Sequence, residues 1–400
     1  METWGEWRSV ARSPECGTSR SPGACGKYPG KALRAYPGLR VGVVRAIAKR
    51  SPECGVSRSP GACGKYPGKA LRAHPRLRVG DVSHDLRGLL ERRALLGDTI
   101  REFFRARGVL EVTTPVLSQA GNTDPNIESF STHYHGPQAG GPPQRWLRTS
   151  PEFSHKRLLA AGSGDIYEIA PVFRDGECGA RHNPEFTLLE WYRVGFDHHA
   201  LMDEVEALIG AVAEAFGRPL GPARRLSFQQ AFLEFAGVDP LEVDEDALWQ
   251  ALAGCGIDRD GLGRDDALDL IRSHIVEPAL AREPAVFIHA FPASQAALAR
   301  IDPDDPRVAR RFELYLGGSE IANGYHELGD AREQRARFER DLATRRARGA
   351  PEPAIDEHLL AALPTMPDCA GVAVGLERLL GWALREPRID RLLAFPFALA

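Results

Sequence analysis

The sequence predicts an α+β fold, an antiparallel β-sheet flanked by helices. Three observations point there. Strand-like runs return on themselves through short polar turns, as around Phe173–Trp191 (FRDGECGARHNPEFTLLEW). Amphipathic helical stripes fall outside these hairpins. The last unit is a strand followed at once by a helix. Strands paired by hairpins with helices around them make an α+β layer structure.

The elements follow in order. Leu89, Leu90, Ala94, Leu95, Ile100, Phe103 and Phe104 share one stripe of a helix running from Asp85 to about Arg107, and Gly108 ends it. VLEVTTPVLS reads as a strand interrupted by Pro115, which suits an edge or an interface. Residues 121–145 are rich in Gly, Pro and Asn and read as a loop. RWLRTSPEF and DIYEIAPVFR read as strands, with a helix over 154–161 between them. Thr187–Val194 is the returning strand, and 198–216 an amphipathic helix. An insertion of short helices is expected over 220–285. Strands follow at 285–291, 311–316 and 319–325, then a charged, solvated helix over 332–348. Strand 371–374 and helix 376–385 close the chain.

The 400 residues carry a formal charge of −3, unevenly spread: residues 1–80 hold 16 Lys and Arg against 4 Asp and Glu, the rest 35 against 50. An acidic body is a poor general nucleic-acid binder, because phosphate contacts dominate that affinity. No apolar run approaches the ~20 residues of a membrane span, and the N-terminus lacks the apolar core of a secretory signal. Cys178, Cys255 and Cys369 are widely spaced and read as reduced thiols of a cytoplasmic protein.

Residues 12–42 recur at 50–80 with an offset of 38, differing only at 18/56, 36/74 and 38/76. Copies this alike suggest a recent duplication of DNA. Pro, Gly, Ser and Arg with few aliphatics cannot offset the entropy of ordering. Residues 1–84 are therefore expected to be a disordered tail or translated upstream sequence, and residues 85–400 the folded domain. A basic RNA-binding arm or a metal site is the competing reading, but the Cys pairs sit nine apart, outside zinc-type spacing.

The 173–191 hairpin carries the chemistry. It offers a guanidinium for phosphate (Arg174), an aromatic face for a purine (Phe186), and carboxylates for an amine. A second arginine, Arg378 in GVAVGLER, can close on the same nucleotide. These segments resemble the class II aminoacyl-tRNA synthetases, and the lysyl type in particular. The helix and strand ending at Pro115 resemble the dimer-forming first motif. HNPEFT followed by LLEWY resembles the second and GVAVGLER the third. GGSEIANGYHELGDAREQ is similar to the lysyl-type segment with metal-binding carboxylates. Within that group the chain looks more like the ligases that attach (R)-β-lysine to a lysine of translation elongation factor P. In place of an anticodon-gripping OB-fold it has only the repeat, and Ala373 stands where the synthetases usually carry glycine. One methyl there would crowd the α-amine of lysine, a discrimination worth ~1–3 kcal/mol.

The resemblance implies ATP and Mg²⁺ as cofactors, an aminoacyl-adenylate, a homodimer, and no tRNA or membrane partner. It assigns Arg174 to the α-phosphate, and Arg378 to the γ-phosphate and the far face of adenine. Phe186 would stack on the base, His182 reach the distal phosphates, and Asn183 and Gly375 line the nucleotide. The synthetases often carry Glu two residues after the motif arginine. Here that position is Gly176, so Glu177 is expected to read the adenine amine through a shifted turn. Glu320 and Glu327 would hold Mg²⁺. They are seven apart, so a regular strand would point them to opposite faces, and a bend is expected near Asn323–Gly324. Ser150, Glu152, Glu190, Tyr192, Asn323, Glu327 and Ala373 would bind the amino acid. A truncated lysyl-tRNA synthetase and a non-catalytic regulatory paralogue remain the alternatives.

Overall fold

A computed structural model describes residues 85–137 and 141–400; the N-terminal repeat and its expected disorder lie outside the described residues. The chain runs α1 (Leu86–Arg105), β1 (Leu110–Glu111), β2 (Leu117–Ser118), β3 (Ser131–His133), β4 (Gln144–Leu147), α2 (Glu152–Ala160), β5 (Ile166–Phe173), β6 (Glu185–Val194) and α3 (His198–Ala215). The insertion holds β7 (Arg224–Ser227), α4 (Phe228–Ala236), α5 (Glu245–Ala251), α6 (Arg264–Ile271) and, after a π-turn, α7 (Glu277–Leu280). Then come β8 (Ala285–Pro292), β9 (Val308–Leu316), β10 (Ser319–His326), α8 (Ala331–Ala347), α9 (Glu357–Ala362), β11 (Cys369–Gly375) and α10 (Leu376–Leu384).

Eight strands form one sheet in the order β1-β5-β6-β11-β10-β9-β8-β7. Only the outer pairs β1·β5 and β7·β8 are parallel. The two faces of this sheet differ in kind. One is covered by α1, α3 and α10, whose Ile100, Phe104, Leu201, Leu208, Leu379 and Leu380 pack on Leu189, Trp191, Phe312, Leu314, Val372 and Val374. The alternate residues of the same strands face the other way and are largely polar.

Three sequence expectations are corrected. VLEVTTPVLS is not one strand: β1 joins the large sheet and β2 a small one with β3 and β4. The break at Pro115 frees Thr114, which turns inward to Glu168 (Oγ1 donating, 2.7 Å). The stretch RWLRTSPEF is strand only to Leu147. Pro151 is preset for a helix start, so α2 begins at Glu152 and carries Glu152 and Lys156 one turn apart. Helix α8 is charged but not simply solvated. Arg345 is 1% exposed in its side chain and ties α8 to the 124–128 loop through Asp124 O (2.8 Å) and Glu128 (2.7 Å). Among the described residues no helix is long and apolar enough to cross a membrane, and Cys178, Cys255 and Cys369 are free.

Candidate active site

Strand register gathers the site. Glu168, Glu190, Ala373, Asn323 and Glu313 form one row across β5, β6, β11, β10 and β9. Ile166, Tyr192, Gly371, Tyr325 and Arg311 form the adjacent row on the same face. Directly paired residues share a face, so this is the polar side of the sheet, opposite the core. Five strands distant in sequence thus bring carboxylates, an amide and two tyrosines onto one surface.

At one end stand the two arginines. Arg174 follows β5 and lies over the Phe186 ring, 5.1 Å from its centroid. Its Nε is buried without an acceptor. Arg378, in the first turn of α10, donates to the Glu320 carbonyl (3.1 Å) and to His182 Nε2 (2.8 Å). His182 feels both arginines: burial, then the positive charge of Arg378, Arg181 and Arg174, push its pKa down against the pull of Glu177. It is a neutral imidazole able to accept. Gly176 has φ +79°, a left-handed turn that a Glu side chain would strain. The acid therefore stands one residue later, where Glu177 lies 3.7 Å from Arg174. Asn183 is buried and spent within the chain, donating to Glu185 O (2.6 Å) and accepting from Phe397 N (3.0 Å). A Cβ at Gly375 would meet only the Arg378 side chain, at 3.8 Å.

The other end is a buried ionic pocket. Glu190 accepts from Ser150 Oγ and Tyr192 Oη, both at 2.9 Å, which fixes its carboxylate. Helix α2 turns three groups inward. Lys156 Nζ lies 2.7 Å from both Glu152 and Glu327, and His155 Nε2 lies 2.9 Å from Glu168. Glu168 also pairs with Arg148 at 2.9 Å. Burial pushes Glu168 up, but the hydrogen bonds of His155 and Thr114 and the charge of Arg148 win and hold it near 2. Glu327 goes the other way: burial, with Glu152 and Glu190 nearby, lifts it to about 8 despite Lys156. Glu327 Oε1 and Asn323 Oδ1 are buried acceptors with no donor. The pocket is tight, since a Cβ at Gly371 would lie 2.2 Å from the Tyr192 ring and 2.5 Å from Glu327 Oε1. The Ala373 methyl joins Phe186, Ala170, Val172 and Leu188 in a small apolar cluster linking the two ends.

The expected bend in β10 is there but misplaced. Register slips between Glu320 and Ala322, a bulge at Ile321, while Asn323 and Gly324 pair regularly. The bulge puts Glu320 and Glu327 on one face, as needed, yet roughly 20 Å of extended chain separates them. Glu327 belongs with Lys156, whereas Glu320 lies 3.5 Å from Arg378. The structure therefore does not bring these two carboxylates together around one ion. Glu320 has other acidic company. Burial, and the nearby Glu320 and Glu313, raise Glu277 to about 7 against Arg272. Glu320, not Glu327, thus has other acids near it, but among the described residues no three His, Cys, Asp or Glu side chains close into a metal site.

Sequence reasoning missed His155, Lys156, Glu168, Arg148, Glu277 and Glu313. Lys156 could have been found: once Pro151 is taken as a helix start, Glu152 and Lys156 are an i, i+4 pair. Glu277 lies in the insertion, where no motif marks it.

Residues 71–398 match the family model described as tRNA synthetases class II (D, K and N). The chain is 50% identical over 312 residues to the elongation factor P–(R)-β-lysine ligase of Vibrio cholerae, covering 77% of this chain and 95% of that protein. It is 48% identical over 317 residues to the ligase of the same name from Edwardsiella ictaluri (78% and 96%). With that of Haemophilus influenzae the identity is 45% over 315 residues, again 78% and 96%. Register, site chemistry and these similarities converge: the chain belongs to the class II (D, K and N) tRNA synthetase family, among the elongation factor P–(R)-β-lysine ligases.

Proposed function

We propose that this chain adenylates (R)-β-lysine or lysine with ATP and passes the aminoacyl group to a lysine ε-amine of elongation factor P. One observation carries the reading. A buried donor without an acceptor, Arg174 Nε, lies at one end of the polar face, and two buried acceptors without donors, Glu327 Oε1 and Asn323 Oδ1, at the other. An anionic phosphate answers the first and an ammonium group the second.

In the first step a carboxylate oxygen of the amino acid attacks the α-phosphorus, and the bond to pyrophosphate breaks. Arg174 meets charge developing on the α-phosphate. Arg378 and neutral His182 hold the distal phosphates, and Phe186 supports the base. Glu190, fixed by Ser150 and Tyr192, and the Glu152/Glu327 pair receive the two substrate amines. No side-chain nucleophile is needed, because position and charge carry phosphoryl chemistry of this kind. A Mg²⁺ ion at Glu320, with Glu277 and Glu313 beside it, would supply neutralising charge to the phosphates. In the second step a deprotonated lysine amine attacks the acyl carbon. The bond to the phosphate oxygen breaks, and an amide and AMP result.

Pyrophosphate exchange with β-lysine and lysine, followed by labelled transfer to elongation factor P or to tRNA, tests the reading. Exchange favouring β-lysine with label on the protein is expected. Preference for lysine with label on tRNA would make the chain a synthetase, and no exchange with either would leave a regulatory paralogue. A homodimer in the cytosol belongs to the same proposal. Leu86, Leu90 and Leu95 of α1, with Leu110 and Leu117, are exposed apolar side chains on the first-motif segment. Sedimentation as a monomer at micromolar concentration would remove the dimer.

A further inference from the structure

Lys156 is an expensive residue where it stands. Its side chain is 1% exposed, and its ammonium group lies 2.7 Å from each of two carboxylates. Burial alone would favour the neutral amine, but Glu152 and Glu327 overcome it and raise the pKa, so Lys156 remains charged. A buried ion pair seldom beats apolar packing of the same volume, because desolvation offsets the attraction. Stability is thus a weak reason for this cation between α2 and the end of β10.

Its placement supplies a better one. Glu152 Oε1 and Glu327 Oε2 are the oxygens nearest Lys156 Nζ. The second Glu327 oxygen, Oε1, is free of donors, as is Asn323 Oδ1 on the same face. Glu190 is oriented separately by two hydroxyls. His155 and Arg148 are occupied with Glu168. The tyrosines facing the pocket, Tyr192 and Tyr325, are held neutral by burial and by the surrounding carboxylates.

We propose that Lys156 is a specificity-determining residue: a tethered ammonium that claims one oxygen each of Glu152 and Glu327, opposes their protonation, and leaves the Glu327 Oε1–Asn323 Oδ1 seat for one substrate amine. The proposal rests on the reading above, since it presumes a diamino acid in this pocket. Without Lys156, the two buried carboxylates lose the nearest charge that opposes their protonation. Both then hold their protons more tightly, and the seat yields less readily the charge that selects an ammonium over a methyl or hydroxyl group. The substrate class follows: amino acids with a second, side-chain-borne or β-placed ammonium, over monoamines of equal length.

The test is Lys156→Met, which keeps the volume, beside Lys156→Gln, which keeps a donor without the charge. Tm establishes that each is folded, and the second variant serves if the first is not. Pyrophosphate exchange then gives KM and kcat for lysine, β-lysine and norleucine. We expect KM for both diamino acids to rise at least tenfold, with KM for ATP within twofold of wild type and the preference over norleucine reduced by at least tenfold. A folded neutral variant with wild-type KM and undiminished preference overturns the proposal while wild-type exchange keeps the ligase reading. Parallel loss of ATP affinity also overturns it, by making Lys156 merely structural. Absence of exchange with any diamino acid in the wild type removes the ligase reading and the proposal together.

Discussion

At the scale of single residues, the site is governed by which charges burial permits. Glu327 holds its proton up to about pH 8 because burial and two neighbouring carboxylates outweigh Lys156. An incoming ammonium group must displace that proton, so binding is opposed below pH 8. KM for the amino acid should fall about tenfold per pH unit between 6 and 7 and level off above 8. Glu327→Gln should flatten that profile and raise KM throughout; steady-state exchange from pH 6 to 9 checks both. Ala373 sits in the row between Glu190 and Asn323. Under the proposed function its methyl would face the amino acid between these two side chains. Ala373→Gly should raise use of lysine relative to β-lysine by about tenfold, within the range one methyl allows, read as a ratio of kcat/KM values.

At the scale of elements, strand alternation separates chemistry from packing. Gly371 and Gly324 sit on neighbouring strands with opposite duties. A methyl at Gly371 would enter the amine pocket. One at Gly324 would lie 2.4 Å from the Phe312 ring and 3.0 Å from Val372, on the core face. Gly371→Ala should raise KM for the amino acid at least tenfold. Gly324→Ala should lower stability by about 1–3 kcal/mol through overpacking, with substrate KM values near wild type in the folded fraction. Thermal melts and exchange kinetics on the pair separate the two faces. The bulge at Ile321 matters for the same reason. It reverses alternation once, so that Glu320 and Asn323, three apart, can share the polar face.

At the scale of the whole molecule, two buried histidines, His198 and His326, lie near half-buried His289 and exposed His199. His198 and His326 lie with ring centroids 6.4 Å apart, and His199 and His289 5.5 Å. Burial depresses His198 to about 3 and His289 to about 4. Unfolded, both titrate near 6.5, so the unfolded chain binds more protons below that pH. Their neutral state supports the fold fully above pH 6.5, and stability is lost as pH falls from 6.5 toward 4. The loss is on the order of a few kcal/mol. Melting from pH 7.5 to 5 should show a falling Tm, shallower in His289→Gln. We propose that residues 1–84 lie outside the catalytic unit. Deleting them should leave kcat/KM within twofold; a larger loss in the exchange assay would give the repeat a role.

The α+β class, nearly every long strand and helix, and the two arginines were legible in the sequence. Hydrophobic period and motif residues such as Arg174, Phe186 and Arg378 are local signals that one segment can carry alone. Ser150, Glu152, Glu190 and Tyr192 could be named as candidates, but not their arrangement. Only the folded sheet decided that Glu327 faces Lys156 while Glu320 faces Arg378, because a single bulged residue sets which face each side chain takes. Only the tertiary structure, likewise, buried Lys156 between two acids. The charge of a pocket depends on which groups exclude water together, and those groups come from α2, β6 and the end of β10, segments that no short stretch of sequence contains.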